Sequence, residues 1–144
     1  MRARQFGIIE LMKKGFKENI EKATLDNSDF RRVLYTGGHS QLVLMALLPE
    51  EEIGLEVHPD NDQFFRFEMG QGRVFIDDTV YDVGDGDAVI VPAGAEHNIV
   101  NVSSIEPLKF YTLYSPAHHQ DGIIMKTKSE AEQSKEEFDG KTTE

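Results

Sequence analysis

Short stretches of strand-forming residues, separated by turn signals about every eight to twelve residues, dominate the sequence between residues 30 and 116. Proline, glycine, asparagine and aspartate cluster at the turns, as at residues 59–62 and 84–87. No stretch of convincing helical periodicity interrupts this region. The pattern therefore predicts an all-β antiparallel sandwich or barrel. The predicted strands cover residues 30–36, 41–48, 54–58, 63–68, 73–76, 80–83, 88–91, 98–102 and 108–114.

The segments before and after this central region have a different character. For residues 5–14, a short helix and an unstructured leader are both compatible with the sequence. Residues 16–22 predict an edge strand or an extended arm. After residue 116 a loop precedes a charged segment, in which Ser129 and the acids that follow it predict a short capped helix. At 144 residues the chain is expected to form one domain. It comprises an N-terminal extension or arm (1–29), a barrel (30–116) and a C-terminal loop, short helix and acidic tail (117–144).

Composition excludes several classes of function. The formal net charge is −11, and this acidic balance argues against nucleic-acid binding, which needs lysine and arginine. The sequence has no cysteine, which excludes disulfides and thiolate metal sites. No apolar run approaches the roughly 20 residues that span a membrane, and residues 1–14 lack the features of a signal peptide. We therefore expect a cytoplasmic protein with no membrane partner.

Four side chains with metal-binding donors occupy related positions beside predicted turns. Glu56 and His58 are two residues apart, so they face the same side of a strand. Gln63 begins the next strand, and His97 begins the strand after the Pro-Ala-Gly turn at residues 92–94. Imidazole, carboxylate and amide oxygen suit zinc, iron, manganese, nickel or cobalt better than magnesium or calcium. A single strand histidine is more often a surface or hydrogen-bonded residue than a ligand, so the hypothesis of one divalent cation held by all four depends on their combination.

The region around His97 carries a family motif. Its pattern is Gly, five residues, Pro-x-Gly, two residues, His, three residues and Asn, and this pattern is the second motif of the cupin superfamily. Gly86, Pro92, Gly94, His97 and Asn101 match it without departure. The segment therefore resembles a cupin, which implies a double-stranded β-helix, or jelly-roll barrel, and a homodimer.

The first cupin motif is matched in part. That motif has the form His-x-His, three or four residues, Glu, six residues and Gly. In this sequence, His58 takes the second histidine position and Gly70 takes the glycine position. Glu56 stands where the first histidine is expected, and Gln63 stands where the glutamate is expected. The resemblance implies that Glu56, His58, Gln63 and His97 are the ligands of one divalent metal ion. The total charge of the ligands stays −1, as in the usual cupin set of three imidazoles and one carboxylate. More closely, the chain resembles bacterial single-domain cupins described as mannose-6-phosphate isomerase-like.

Other residues are candidates for the pocket. Phe65 and Phe67 are in phase with Gln63, so they either line the pocket or belong to the barrel core, and the core is slightly favoured. Tyr111 or Tyr114 could direct a hydroxyl into the pocket, and strand phase does not decide which. Two further histidines, His118 and His119, suggest a second site, although adjacent histidines in a loop are usually exposed.

The residues and the resemblance together suggest a small metalloenzyme acting on a sugar, a sugar phosphate or a small oxygenated acid. Isomerase, epimerase or lyase chemistry would suit a cation that polarises a substrate carbonyl. Glu56 would either stay bound to the metal or act as the general base. One alternative is a non-catalytic cupin that binds or senses a small ligand, and another is an iron-dependent dioxygenase.

Overall fold

The computed structural model describes residues 14–144, so most of the segment for which a helix or leader was open lies outside the described residues. Within the described range the chain forms ten strands and two short helices. The strands are β1 (Arg31–Thr36), β2 (Gln41–Leu47), β3 (Glu56–Val57), β4 (Asp62–Met69), β5 (Gln71–Ile76), β6 (Thr79–Gly84), β7 (Ala88–Val91), β8 (Glu96–Asn101), β9 (Leu108–Ser115) and β10 (Ile124–Met125), and the helices are α1 (Ile20–Asp26) and α2 (Lys128–Gln133).

The strands form two antiparallel sheets that pack face to face. One sheet has six strands in the order β10-β1-β2-β9-β4-β7, and the other has four in the order β3-β8-β5-β6. Two strand pairs, β1–β2 and β5–β6, join neighbours in sequence, and the other pairs join strands that are distant in sequence, as when β2 and β4 flank β9. This arrangement confirms the predicted all-β jelly-roll barrel with a short C-terminal helix.

The barrel core lies between the two sheets. Alternate residues of β9 point inward, so Phe110 is fully buried while its neighbours are only partly covered. The Phe110 ring packs against Phe65 and Phe67, with ring centroids 5.9 and 5.2 Å away. Burying each such side chain contributes about 1.5–3 kcal/mol relative to leaving it exposed. At one end of this core the inward positions are polar, and there the candidate site lies.

Two residues of the family motifs have structural roles. Gly70 adopts φ 97°, and a Cβ atom there would collide with the carbonyl oxygen of Pro107, so only glycine fits. Asn101 is buried, and its side-chain amide donates hydrogen bonds to the carbonyl oxygens of Leu47, Leu48 and Glu106. Both residues stabilise connections between strands, and neither belongs to the site.

The prediction of an edge strand or arm at residues 16–22 is wrong at residues 20–22, where α1 begins. The Asn19 side chain accepts a hydrogen bond from the Lys22 backbone N–H at 3.0 Å and caps the helix. α1 continues beyond residue 22 and packs on β2, β4 and β9 with Thr24 buried, so the shorter window missed the helical period.

The C-terminal helix exists, but Thr127 caps it in place of Ser129. The Thr127 hydroxyl accepts a hydrogen bond from the backbone N–H of Glu130 at 3.1 Å. Just before it, β10 adds a strand beside β1 that the sequence did not predict. Among the described residues, neither helix has the length and apolar character needed to cross a bilayer.

Candidate metal centre

The two halves of the candidate site are joined by backbone pairing. Glu56 on β3 is the register partner of His97 on β8. His58 follows β3, and its carbonyl oxygen accepts a hydrogen bond from the Gly94 N–H at 3.0 Å. The turn that precedes His97 is therefore fixed to the segment that carries the other two donors.

Glu56, His58 and His97 converge at one point. One donor atom from each lies within 4.8 Å of the other two, a spacing that a single cation can bridge. His58 and His97 are buried, with 6% and 4% of their surface exposed, while Glu56 is partly exposed. Within residues 14–144 this is the one group of three histidine or acidic side chains with such a geometry.

Two buried polar atoms, one at the site and one on the predicted ligand Gln63 of β4, have no hydrogen-bond partner in the described residues. His58 Nε2 lies 2.7 Å from Glu56 Oε2, but the pair lacks the alignment of a hydrogen bond. Gln63 Oε1 is also unpartnered, while Gln63 Nε2 donates to Thr112 Oγ1 at 3.2 Å and fixes the orientation of the amide. Leaving a buried acceptor unsatisfied costs about 1–3 kcal/mol. A divalent cation held by Glu56, His58 and His97 would satisfy His58 Nε2, so this donor set fits a metal ion.

The ionisation states of these residues suit metal ligation. His97 Nδ1 lies 3.1 Å from the Ala95 carbonyl oxygen, and because a carbonyl only accepts, Nδ1 carries the proton and Nε2 is left for a metal. Burial lowers the pKa of His97, which keeps the imidazole neutral near pH 7. Burial alone would raise the pKa of Glu56, but the neighbouring His58, with Arg31 and His97, outweighs it and holds that pKa below its ordinary value.

A second group of polar side chains surrounds His58. The Tyr114 ring lies edge-on to it, with centroids 5.7 Å apart, and the His118 ring lies 4.3 Å from it. His119 Nδ1 lies 2.6 Å from a carboxylate oxygen of Glu136, so Nδ1 donates and the Tyr114 hydroxyl, 3.1 Å from Nε2, donates to His119 in turn. Burial raises the pKa of Tyr114, which keeps its proton on the hydroxyl.

The structure separates the remaining pocket candidates. Phe65 and Phe67 are fully buried in the core, and Phe65 approaches the His97 ring with centroids 6.5 Å apart. Tyr114 faces the barrel interior, whereas Tyr111 lies on the outer face of the sheet beside Phe64. The histidines at 118 and 119 are not exposed in a free loop: the first is half-buried and the second is 6% exposed.

The site opens into a cavity of about 240 Å³. This volume is slightly below the roughly 300–1,000 Å³ of pockets for drug-sized ligands, so it suits a small molecule. The C-terminal segment forms one wall, because Glu136 bonds both His119 and the Gln120 N–H, and the Phe138 N–H donates to the His118 carbonyl oxygen. The lining residues are Phe30, Arg31, Ile53, Glu56, His58, His118, His119, Lys128, Ala131, Glu132, Ser134 and Glu136.

Comparison with protein families agrees with the architecture. The family model described as the Cupin domain matches residues 43–114, half of the chain, and this match contains β3, β8 and all four predicted ligands. The chain belongs to the cupin family. In this cupin, the histidine of the second motif and the second histidine of the first motif point to the same place, and glutamate replaces the remaining histidine of the first motif.

Relatives of this cupin occur in bacteria and in a virus. It is 43% identical over 124 residues to the uncharacterized protein YrkC of Bacillus subtilis, covering 82% of this chain and 66% of the relative. It is 45% identical over 109 residues to the uncharacterized protein L612 of Acanthamoeba polyphaga mimivirus, covering 74% and 68%. The cupin thus spans about two thirds of the length of these relatives. The crystal structure of BH2720 from Bacillus halodurans is similar, with 40% identity, a TM-score of 0.82, and coverage of 85% of this chain and 96% of that one.

Replacing Gln63 tests whether its unpartnered oxygen is a ligand. We expect Gln63→Leu to lower the affinity for Zn²⁺ or Mn²⁺ roughly tenfold, because the amide dipole is lost, and Gln63→Glu to raise it by a similar factor, because a charged donor takes its place. Competition with a chromophoric chelator measures both. Gln71→Leu, at an exposed glutamine on β5, is the matched control. Equal affinity in all four proteins would restrict Gln63 to its bond with Thr112.

Proposed function

We propose that this cupin is a metal-dependent enzyme that acts on a sugar, a sugar phosphate or a small oxygenated acid by isomerase, epimerase or lyase chemistry. One observation supports it above others: Glu56, His58 and His97 converge, and the first two of them line a small cavity. When bound, a divalent cation would polarise a substrate carbonyl or hydroxyl. Zinc, manganese, nickel and iron all suit this donor set.

The protein residues have separable roles in this proposal. Glu56 is an ionised carboxylate at the cavity edge, so it either remains a ligand or accepts a proton from a substrate carbon or hydroxyl. The Tyr114 hydroxyl donates to His119, which keeps the wall beside His58 in place. The C-terminal segment covers this wall, which limits the access of water to the bound substrate.

A turnover assay with the metal-loaded protein tests the proposal. Aldose and ketose phosphates, free aldoses and small hydroxy or keto acids would be incubated with protein reconstituted with Zn²⁺, Mn²⁺, Ni²⁺ or Fe²⁺, and products followed by NMR. We expect turnover of at least one class, its loss in His97→Ala, and retained metal but lost turnover in Glu56→Gln if Glu56 is the base. Tight binding without turnover would make this a binding or sensor module, and turnover that needs both Fe²⁺ and O₂ would make it a dioxygenase.

Two further expectations belong to the proposal. Cupins commonly pair through an edge strand, so we expect a homodimer, and light scattering at micromolar concentration would show twice the chain mass. A monomer there removes the expectation. The cytoplasmic location stays a prediction of the sequence.

A further inference from the structure

A buried arginine that forms no ion pair among the described residues lies in the wall of the cavity. Arg31 is the first residue of β1 and is 8% exposed, although the protein carries 26 acidic side chains. Its burial follows from strand alternation: Arg31 and Val33 point inward, while Arg32 between them points outward. The guanidinium thus occupies an inward position of the strand, next to the inward position of the apolar Val33.

The guanidinium has no adequate partner among residues 14–144. Its Nε is fully buried and makes no hydrogen bond, and no carboxylate lies within the 4.0 Å that would make an ion pair. The nearest favourable contact is the Phe30 ring, whose centroid lies 5.3 Å from the guanidinium carbon. A ring face attracts the charge but does not accept the directed N–H bonds, so the guanidinium keeps its fork of donors for another acceptor.

Three acids line the cavity, and none of them forms an ion pair with Arg31: Glu132 is exposed, while Glu56 and Glu136, whose pKa values Arg31 helps to lower, make closer contacts with other groups. Glu136 bonds His119 and the Gln120 N–H, and Glu56 belongs to the metal donors. Lys128 on α2 adds a second cationic side chain to the lining, on the wall formed by the C-terminal segment. An unpaired buried cation is costly, and a planar guanidinium fork matches the two oxygens of a carboxylate or a phosphate.

We infer that Arg31 binds the oxyanion of the ligand, a carboxylate or a phosphate, while the ligand's other oxygens face Glu56, His58 and His97. This inference builds on the proposed function and narrows it, because it favours a small acid or a sugar phosphate over a neutral sugar. The arginine is a specificity-determining residue and takes no part in holding the metal. The cavity of about 240 Å³ leaves room for a ligand of few carbon atoms between the two ends.

Calorimetric titration with two probe anions tests this assignment. Inorganic phosphate and malonate would each be added to metal-free and to Zn²⁺-loaded protein, for the wild type, Arg31→Gln, Arg31→Lys and Arg32→Gln. The exposed Arg32, adjacent in sequence, is the matched control. We expect Arg31→Gln to weaken binding of the preferred anion at least tenfold, Arg31→Lys to weaken it less, and Arg32→Gln to leave it unchanged. Whichever anion binds more tightly identifies the carboxylate or phosphate class.

The outcomes separate this inference from the metal hypothesis. If Zn²⁺ fails to bind but metal-free wild type binds the anion through Arg31, the metal hypothesis falls and the assignment of Arg31 stands. If Zn²⁺ binds equally in wild type and Arg31→Gln, and both bind the anions equally, the assignment alone is wrong. Wild-type crystals grown with malonate or phosphate give a readout that needs no variant: we expect density within hydrogen-bond distance of the Arg31 guanidinium, and an anion bound elsewhere, or none, overturns the inference.

Discussion

Replacing His97 with alanine lowers the affinity for a divalent cation by a factor of roughly 100 or more. Structural zinc sites with four ligands bind with apparent free energies of about 10–16 kcal/mol, so one ligand accounts for roughly 3 kcal/mol, which corresponds to more than a hundredfold in affinity. His97 is 4% exposed, and its ring is held by the Ala95 carbonyl, so the wild-type site has this donor already in position. His58→Ala has the same expected effect. Competition with a chelator, and elemental analysis after dialysis, measure the loss.

His39→Ala is the matched control, because His39 is exposed in the loop between β1 and β2 and should retain wild-type affinity. Circular dichroism of each variant shows whether the fold persists. The double variant His58→Ala/His97→Ala should bind no metal above background. If it binds Zn²⁺ as tightly as the wild type, the 2.7 Å approach of His58 to Glu56 is an ion pair within the protein and there is no metal centre.

The fold was predictable because its information is local. The regular spacing of turns and strands, and the alternation within β9, are properties of consecutive residues, so they predict an antiparallel sandwich or barrel without any knowledge of contacts. The choice of the jelly-roll barrel came from the cupin motifs. The convergence of Glu56, His58 and His97 was predictable for a similar reason. Each lies next to a turn with a recognisable sequence, and the pairing of β3 with β8 makes the first and the last of them register partners.

The rest of the cavity depends on contacts between distant residues. Glu136 reaches His119 across a loop and a helix, and Phe138 bonds back to His118, so nothing in the local sequence shows that this histidine pair is covered. Arg31 left one signal: it shares the inward phase of Val33, and an arginine at an inward position is unusual. In the sequence, Arg31 and Arg32 cannot be distinguished until each is assigned to the inward or the outward face of β1. That assignment requires knowing where the strand begins.

The metal-free protein should lose stability as the pH falls from about 6.5 towards 4. Burial, with the nearby His119 and His58, lowers the pKa of His118 to about 4, and burial also lowers the pKa of His97 and of His119. In this window the unfolded chain takes up protons that the folded protein resists, so protonation favours unfolding. The stability these histidines contribute is therefore complete above pH 6.5 and lost as the pH passes through the folded pKa values.

The size of this loss can be bounded from His118. A shift from 6.5 to about 4 would correspond to roughly 3 kcal/mol for a fully buried group, and because His118 is only half-buried, solvent screening reduces it to about 1–2 kcal/mol. With His97 and His119 acting in the same direction, we expect the free energy of unfolding to fall by at least about 2 kcal/mol across the window. Glu56 and Glu136, whose pKa values lie below the ordinary range, add a further loss below about pH 4.5.

Urea unfolding in EDTA at half-unit steps between pH 7 and 4 measures this dependence. His118→Gln should make the curve of unfolding free energy against pH less steep by the contribution of one histidine. The slope reports the number of protons taken up on unfolding, so packing that is lost with the imidazole changes stability at every pH without changing the slope. His39→Gln, at an exposed position, should leave the slope unchanged. A wild-type curve that stays level from pH 6.5 to 4.5 would mean that these histidines are as hydrated as in the unfolded chain, and hence that the C-terminal segment does not cover the cavity in solution. Equal slopes in the wild type and His118→Gln would show that His118 does not contribute to the pH dependence, and they would leave the contributions of His97 and His119 standing.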